Sequence, residues 1–282
     1  MDTTVLQFLA APFVASLILT GIHAYLGVHV VERGVIFVDL SLAQIAALGG
    51  TIALLMPFSG GDPHHPDVYW VSLGFTFIGA AVFATVRTKR ARIPQEAIIG
   101  ISYAVASAAS ILAMSKSTSQ AEHLKDMLVG NILAVSWTDV GHTALLYGAI
   151  GIFHYIFRKR FLAISMDPEK AEADGVSIRF WDFLFYASFG FVVTSSVSIA
   201  GVLLVFCYLV VPSVAAMLYA DRVATRLAIG WTMGTVVSAL GVYLSLELDL
   251  PTGATIVCTF GLVLIIMALV RPLLQPSRAT AA

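Results

Sequence analysis

Charge is scarce in this chain. Asp, Glu, Lys and Arg make up 12% of its 282 residues, about half the share of an ordinary soluble domain. Cysteine is rarer still. Cys207 and Cys258 both fall in apolar runs, which argues against a disulfide framework and leaves them as small core hydrophobes. No polar stretch is long enough for a second, soluble domain, and no low-complexity segment is present. The local signatures of common catalysts are missing too. No G-x-x-x-x-G-K-[ST] loop is there to cradle a nucleotide's phosphates. No H-E-x-x-H helix or Cys-His knuckle offers zinc a ligand set, and no G-x-S-x-G turn presents a nucleophile. These absences set catalysis aside and leave transport as the leading class. Nothing in the pattern points to a nucleic-acid partner.

What the chain has in abundance is apolar length. Hydrophobic residues make up 59% of it, and its mean hydropathy is +0.90. Runs near or above the roughly 20 residues that cross a bilayer as a helix recur along it. They predict crossings near Phe8–Val31, Val35–Phe58, Val68–Val86, Glu96–Ser115, Thr138–Phe157, Phe180–Thr194, Ile199–Tyr219, Arg226–Leu246 and Gly253–Val270. Let these nine alternate with the N-terminus outside and the C-terminus cytoplasmic. Fourteen of the sixteen Lys and Arg then fall in inward loops, and only Lys116 and Lys125 lie outside. That split follows the positive-inside rule. The sixth stretch is short, and a merged element with the seventh would reduce the count to eight. The first run follows an acidic start and is too long for the apolar region of a signal peptide. Because backbone in lipid must satisfy its own hydrogen bonds, the expected fold is an all-α, polytopic membrane bundle.

Small residues mark where such helices approach. Gly230 and Gly234 form a GxxxG pair. Asp39, Ala43, Ala46, Gly50 and Ala53 share one face of the second helix. That face reads either as a packing seam or as a pore lining with Asp39 at its inner end. A carboxylate inside a membrane helix defaults to a functional hypothesis. Here it lies only about 7 Å from the turn at Gly34, so pairing with Arg33 is the competing reading.

Five segments carry a family resemblance. They are LGVHVVERGVIFVDLSLAQIAALGGTIALL at Leu26–Leu55, QEAIIGI at Gln95–Ile101, LVGNILAVS at Leu128–Ser136, MDPEKAEADGVS at Met166–Ser177 and IAGVLLVFCYLVVPSVAAMLYADR at Ile199–Arg222. In this order the chain resembles the membrane subunits of ABC importers for divalent metal cations, the zinc and manganese type. The resemblance implies one permease domain over residues 1–282, multi-pass in the cell (inner) membrane. It implies a homodimer with a pore at its axis, a cytoplasmic ATPase docked on each copy, and a solute-binding protein that delivers metal. The permease would be non-catalytic and hold no cofactor; the cation, zinc or manganese, would be its cargo.

The loop Arg158–Arg179 supports docking on its own terms. Asp167 followed by Pro168 reads as an N-cap with proline at the first helical position. Glu169 adds favourable charge to the first turn, and Gly175 is a natural stop. A short capped helix results, either a coupling helix or an amphipathic connector. With the resemblance, Asp167, Ala171, Ala173 and Gly175 become the residues expected to engage the ATPase, with Ala171 and Gly175 allowing close backbone approach.

The ion path departs from the family pattern. Its second helix usually carries Asp and His four residues apart, with Gly five residues after the His. Anchored on Gly49, the His position holds Gln44 and the Asp position Leu40; anchored on Asp39, the His position holds Ala43. An amide oxygen is a harder ligand than imidazole and suits manganese better than zinc. Gln44 lies roughly 15 Å from the Gly34 turn, near mid-depth. His23 in the first helix lies at a similar distance from that turn. It is therefore a candidate for the missing imidazole, or simply a buried, hydrogen-bonded histidine. Asp39, Gln44 and His23 are the candidate path residues. Asp62, His64, His65 and Asp67 sit in an outer loop that could concentrate cations, or serve as a solvated turn. Glu247 and Asp249 read as an outer acidic rim or as helix-end charges. Glu96 opens the fourth helix as a cap or charge partner, and Pro212 interrupts the seventh. The rival mechanism is a gradient-driven secondary transporter, whose folds show inverted repeats. No repeat between the two halves of this chain is evident.

Overall fold

The computed structural model describes residues 3–59, 65–87, 93–115 and 132–274. Among the described residues the chain is helical, with no strand. The helices are α1 Thr3–Glu32, α2 Val38–Leu54, α3 Pro66–Val86, α4 Gln95–Met114, α5 Trp137–Ile156, α6 Arg158–Met166, α7 Pro168–Ala173, α8 Ile178–Ala200, α9 Val202–Met217, α10 Val223–Glu247 and α11 Thr252–Leu274. A 3-10 turn, Ile132–Ala134, precedes α5.

Each of the nine apolar stretches falls on a helix, and α6 and α7 come from the charged loop between them. Among the described residues six helices, α1, α3, α4, α8, α10 and α11, are long and apolar enough to cross a membrane. The α5–α6 pair passes the same test together but bends by 74° at its break. α2 and α9 have 17 and 16 residues, about 25 Å of helix against a hydrocarbon core of about 30 Å. The sequence reading set the sixth stretch at Phe180–Thr194 and began the seventh at Ile199. The chain instead extends α8 to Ala200 and starts α9 at Val202. Gly201 separates the two at φ 76°, ψ 160°, a backbone state open essentially to glycine alone.

The helices form two groups. α2 packs on α3, α4 and α8, and α3 packs on α8. α1 packs on α9, α10 and α5, and α9 and α10 both pack on α11. α8 and α9 join the groups. Lipid is as apolar as leucine, so burial alone drives little association here, and close contact between backbones matters more. A Cβ at Gly27 would lie 1.9 Å from the Leu209 carbonyl oxygen, and one at Gly234 would lie 2.2 Å from Thr20 Cγ2. Gly230, its GxxxG partner, has ordinary spacing of 3.5 Å to Ala24. On α2, Cβ atoms at Gly50 of the small-residue face and at its neighbour Gly49 would lie 2.9 Å from α3, at Ser72 and Phe75. That part of the face is a packing seam.

Candidate functional site

The chain concentrates its buried charge at one end of the bundle. Asp182, on the first turns of α8, is fully buried, and two arginines converge on it. Arg33, in the α1–α2 turn, donates from Nη1 to Asp182 Oδ1 at 2.7 Å. Arg87, just past α3, donates from Nη1 to both carboxylate oxygens at 3.0 Å. Arg33 is nearly as enclosed as the carboxylate, whereas the Arg87 side chain keeps 18% exposure. Burial pulls the Arg33 guanidinium below its ordinary pKa, and the Asp182 carboxylate pulls it back up. Its cation also lies 3.9 Å from the centre of the Phe185 ring, a geometry that favours charge over a π face.

The same arginines hold α6. Arg33 Nε donates to Ser165 Oγ at 2.8 Å, and that hydroxyl also meets His29 Nδ1 at 2.8 Å. Arg87 Nη2 donates to the Ile164 carbonyl at 3.4 Å. Aromatic packing fixes α6 from the other side. Phe161 stacks on His154 at 4.3 Å and meets Trp181 edge-on at 5.6 Å. Gln95 and Glu96, which open α4, tie in the remaining helices. Gln95 Nε2 donates to the Phe83 carbonyl at 3.0 Å and to Tyr186 Oη at 3.2 Å. Glu96 accepts from the Phe37 N–H at 3.0 Å and so caps α2 from a neighbouring helix.

α7 is built as the sequence expects. Asp167 accepts from the Lys170 N–H at 3.0 Å, and Pro168 fills the first turn. At the far end the Val176 N–H donates to Ala171 O at 3.0 Å and the Gly175 N–H to Glu172 O at 2.9 Å. Gly175 has φ +79°. This is a Schellman stop, with its usual hydrophobic contact between the residue after the glycine and the last turn. That contact corrects one expectation. Ala171 is buried against Ile164 and Val176, so it faces inward and is not a surface for close approach. The outward surface of α7 and its stop is Glu169, Lys170, Glu172, Ala173, Asp174 and Gly175. A cleft of about 570 Å³ lies beside it, lined by Arg87, Arg179, Glu169 and Glu172 among others.

The candidate path residues are all enclosed within one chain, with exposures of 0% for His23, 1% for Asp39 and 7% for Gln44. Asp39 does not pair with Arg33, which is committed to Asp182 and Ser165. Neither Asp39 carboxylate oxygen has a hydrogen-bond partner among the described residues. Gln44 sits on the same helix five residues further on, about 140° around it from Asp39. His23 does not join them. Its Nδ1 meets the Leu19 carbonyl at 2.8 Å, its ring meets Tyr147 of α5, and its helix belongs to the other group. Among the described residues no three His, Cys, Asp or Glu side chains gather as a metal-holding group.

The other polar candidates serve helix ends. His65 caps α3 by accepting from the Asp67 N–H at 3.3 Å; Asp62 and His64 lie outside the described residues. Asp249, at φ 50°, turns the chain out of α10. Pro212 lies inside α9, which continues past it. Sequence reasoning missed Asp182, although the signal was there. It is a lone carboxylate two residues inside a predicted crossing, just as notable as Asp39.

A bundle of apolar helices with interfacial charge at one end and an isolated carboxylate inside defines a multi-pass membrane transport protein. The chain belongs to the ABC 3 transport family, whose pattern it matches over residues 5–271. It is 29% identical over 211 residues to the manganese transport system membrane protein MntC of Listeria innocua, covering 72% of this chain and 75% of that one. It is 26% identical over 244 residues to the chelated iron transport system membrane protein YfeC of Yersinia pestis, covering 86% and 79%. Its fold matches PsaBC from Streptococcus pneumoniae, solved in complex with Fab, with a TM-score of 0.76, 23% identity and coverage of 92% and 90%.

Proposed function

We propose that this permease is the membrane subunit of an ATP-driven importer for a divalent first-row metal ion, of the manganese rather than the zinc kind. The observation that carries the reading is Asp39, a buried carboxylate with no partner for either oxygen among the described residues. Such a group is costly in a membrane interior, and a cation in transit offsets that cost. Gln44, five residues further along α2, offers an amide oxygen, and the family's imidazole position holds Gln44 or Ala43 depending on the anchor, in neither case a histidine. Oxygen ligands without an imidazole suit manganese, whereas zinc favours imidazole and thiolate. Relatives named for manganese and chelated iron transport point the same way.

In this reading two copies pair, the helices make nine crossings with the N-terminus outside, and α7 faces the cytoplasm. The exposed side of α7 docks a separate ATPase, which fits a chain with no phosphate-binding loop. A solute-binding protein delivers the ion on the far side. The test is uptake of manganese and zinc into liposomes holding the permease with its cognate ATPase and binding protein. Uptake should require ATP and favour manganese. Uptake by the permease alone, driven by a proton or sodium gradient, would overturn the importer reading.

A further inference from the structure

We propose that Arg87 is a positioning residue that couples movement of α7 to the helix carrying Asp39. The inference rests on the importer reading above.

Arg87 stands where three parts of the molecule meet. It ends α3. Its guanidinium binds the Asp182 carboxylate at 3.0 Å and the α6 carbonyl of Ile164 at 3.4 Å. Its remaining surface walls the cleft of about 570 Å³ whose opposite side is α7, at Pro168, Glu169 and Glu172. That space lets α7 shift relative to the bundle, and such a shift changes the surroundings of Arg87. The other direction is stiff. α3 packs on α2 with Gly49 and Gly50 against Phe75 and Ser72, and Gly79 against Ile45 and Leu42. At these spacings the two helices have no slack between them and move together. A displacement at Arg87 therefore reaches α2, and with it Asp39 and Gln44.

Charge balance separates this role from a merely structural one. Asp182 carries one negative charge, and Arg33 at 2.7 Å already neutralises it. Arg87 is a second cation on the same carboxylate. Arg33 Nη2 has no partner among the described residues. A cluster built only for stability would be complete with one arginine, because an uncompensated buried charge is expensive. The surplus arginine is the one that keeps contact with solvent and with the cleft. Loss of Arg87 leaves a neutral Arg33–Asp182 pair, so the fold does not depend on it.

The test compares wild type, Arg87→Gln and Arg87→Lys in the complete complex, reconstituted with its ATPase and binding protein. Three quantities are read: ATPase co-purification, ATP hydrolysis, and manganese uptake per ATP hydrolysed. Arg87→Gln should keep co-purification and hydrolysis within about twofold while uptake per ATP falls about tenfold or more, the range of a typical coupling energy. Arg87→Lys keeps the charge on Asp182 and should recover more than half of the loss. Uptake falling in step with hydrolysis, uptake unchanged in Arg87→Gln, or no recovery in Arg87→Lys each overturns the inference. So does Arg87→Gln failing to accumulate as a folded permease, since that would make Arg87 structural. A wild-type complex without ATP-driven manganese uptake overturns the importer reading itself.

Discussion

Replacing Asp182 with asparagine removes the one negative charge that holds two guanidiniums at the end of the bundle. Both Asp182 and Arg33 are essentially without solvent contact, while Arg87 keeps 18% exposure. At an effective dielectric of about 20, opposite charges about 4 Å apart attract by roughly 4 kcal/mol. Breaking a buried pair by removing one partner costs about 3–5 kcal/mol, because the partner left behind stays desolvated. Asp182→Asn strands Arg33 in that condition, so a loss of about 3–5 kcal/mol is expected, far above the ~1 kcal/mol of an average substitution. The informative variant is the double one. Arg33→Gln combined with Asp182→Asn leaves only Arg87 charged, and Arg87 already reaches water. The double variant should therefore be more stable than Asp182→Asn alone, by about 2 kcal/mol. Equilibrium unfolding of the purified permease in detergent, followed by tryptophan fluorescence, measures both. A double variant no more stable than the single one would refute the charge-balance reasoning.

Three further outcomes follow from the geometry. Gly201→Ala places a side chain at φ 76°, ψ 160° and should cost about 1–3 kcal/mol; an unfolding midpoint equal to wild type would show that the α8–α9 junction has another conformation. Ala173→Trp, on the exposed side of α7, should lower ATPase co-purification while leaving the permease folded. Ala171→Trp should instead cost about 1–3 kcal/mol by overpacking the contact with Ile164 and Val176, and equal behaviour of the two would mean that α7 docks on neither face. In liposome uptake, Asp39→Asn should reduce manganese transport by more than membrane abundance falls. Gln44→His should shift preference toward zinc, a better imidazole partner. If both transport manganese and zinc like wild type, the ion passes elsewhere.

The elements that were legible in the sequence are those whose cause is local. Apolar runs of about 20 residues become helices because a backbone in lipid has no other partner for its polar groups. The α7 cap and stop could be read from Asp167, Pro168 and Gly175 because each acts within one turn. The inward side of Ala171 was less accessible, since it depends on where Val176 folds back and on Ile164 of the preceding helix. The α8–α9 boundary was obscured because the apolar run continues through Gly201, and only the glycine's backbone angles mark the break. Least legible was the Asp182 cluster. Its partners lie 149 and 95 residues away, and no local pattern distinguishes Arg33 bound to Asp182 from Arg33 bound to Asp39. His23, in the first helix, was matched to the second-helix path by depth alone. Depth is a single coordinate, and helix packing placed His23 beside Tyr147 instead.

Two aspartates in this chain make the functional argument by contrast. Asp182 and Asp39 are the same residue type, and both are within 1% of complete burial. One receives two guanidiniums from the α1–α2 turn and the end of α3; the other receives no hydrogen bond on either oxygen from the described residues. A folded protein rarely leaves a buried polar group unpaired unless something outside the fold completes it. For Asp182 the completion is internal, and it ties α1, α3, α6 and α8 into one unit beside α7. For Asp39 no partner is found among the described residues; in the proposed importer a cation in transit would complete it, on a helix that packs closely against α3. On the importer reading proposed above, the two arginines at one end and the unpaired carboxylate further in are two parts of one device. In the proposed mechanism the first would sense α7, the second would receive the ion, and the α2–α3 seam would link them mechanically.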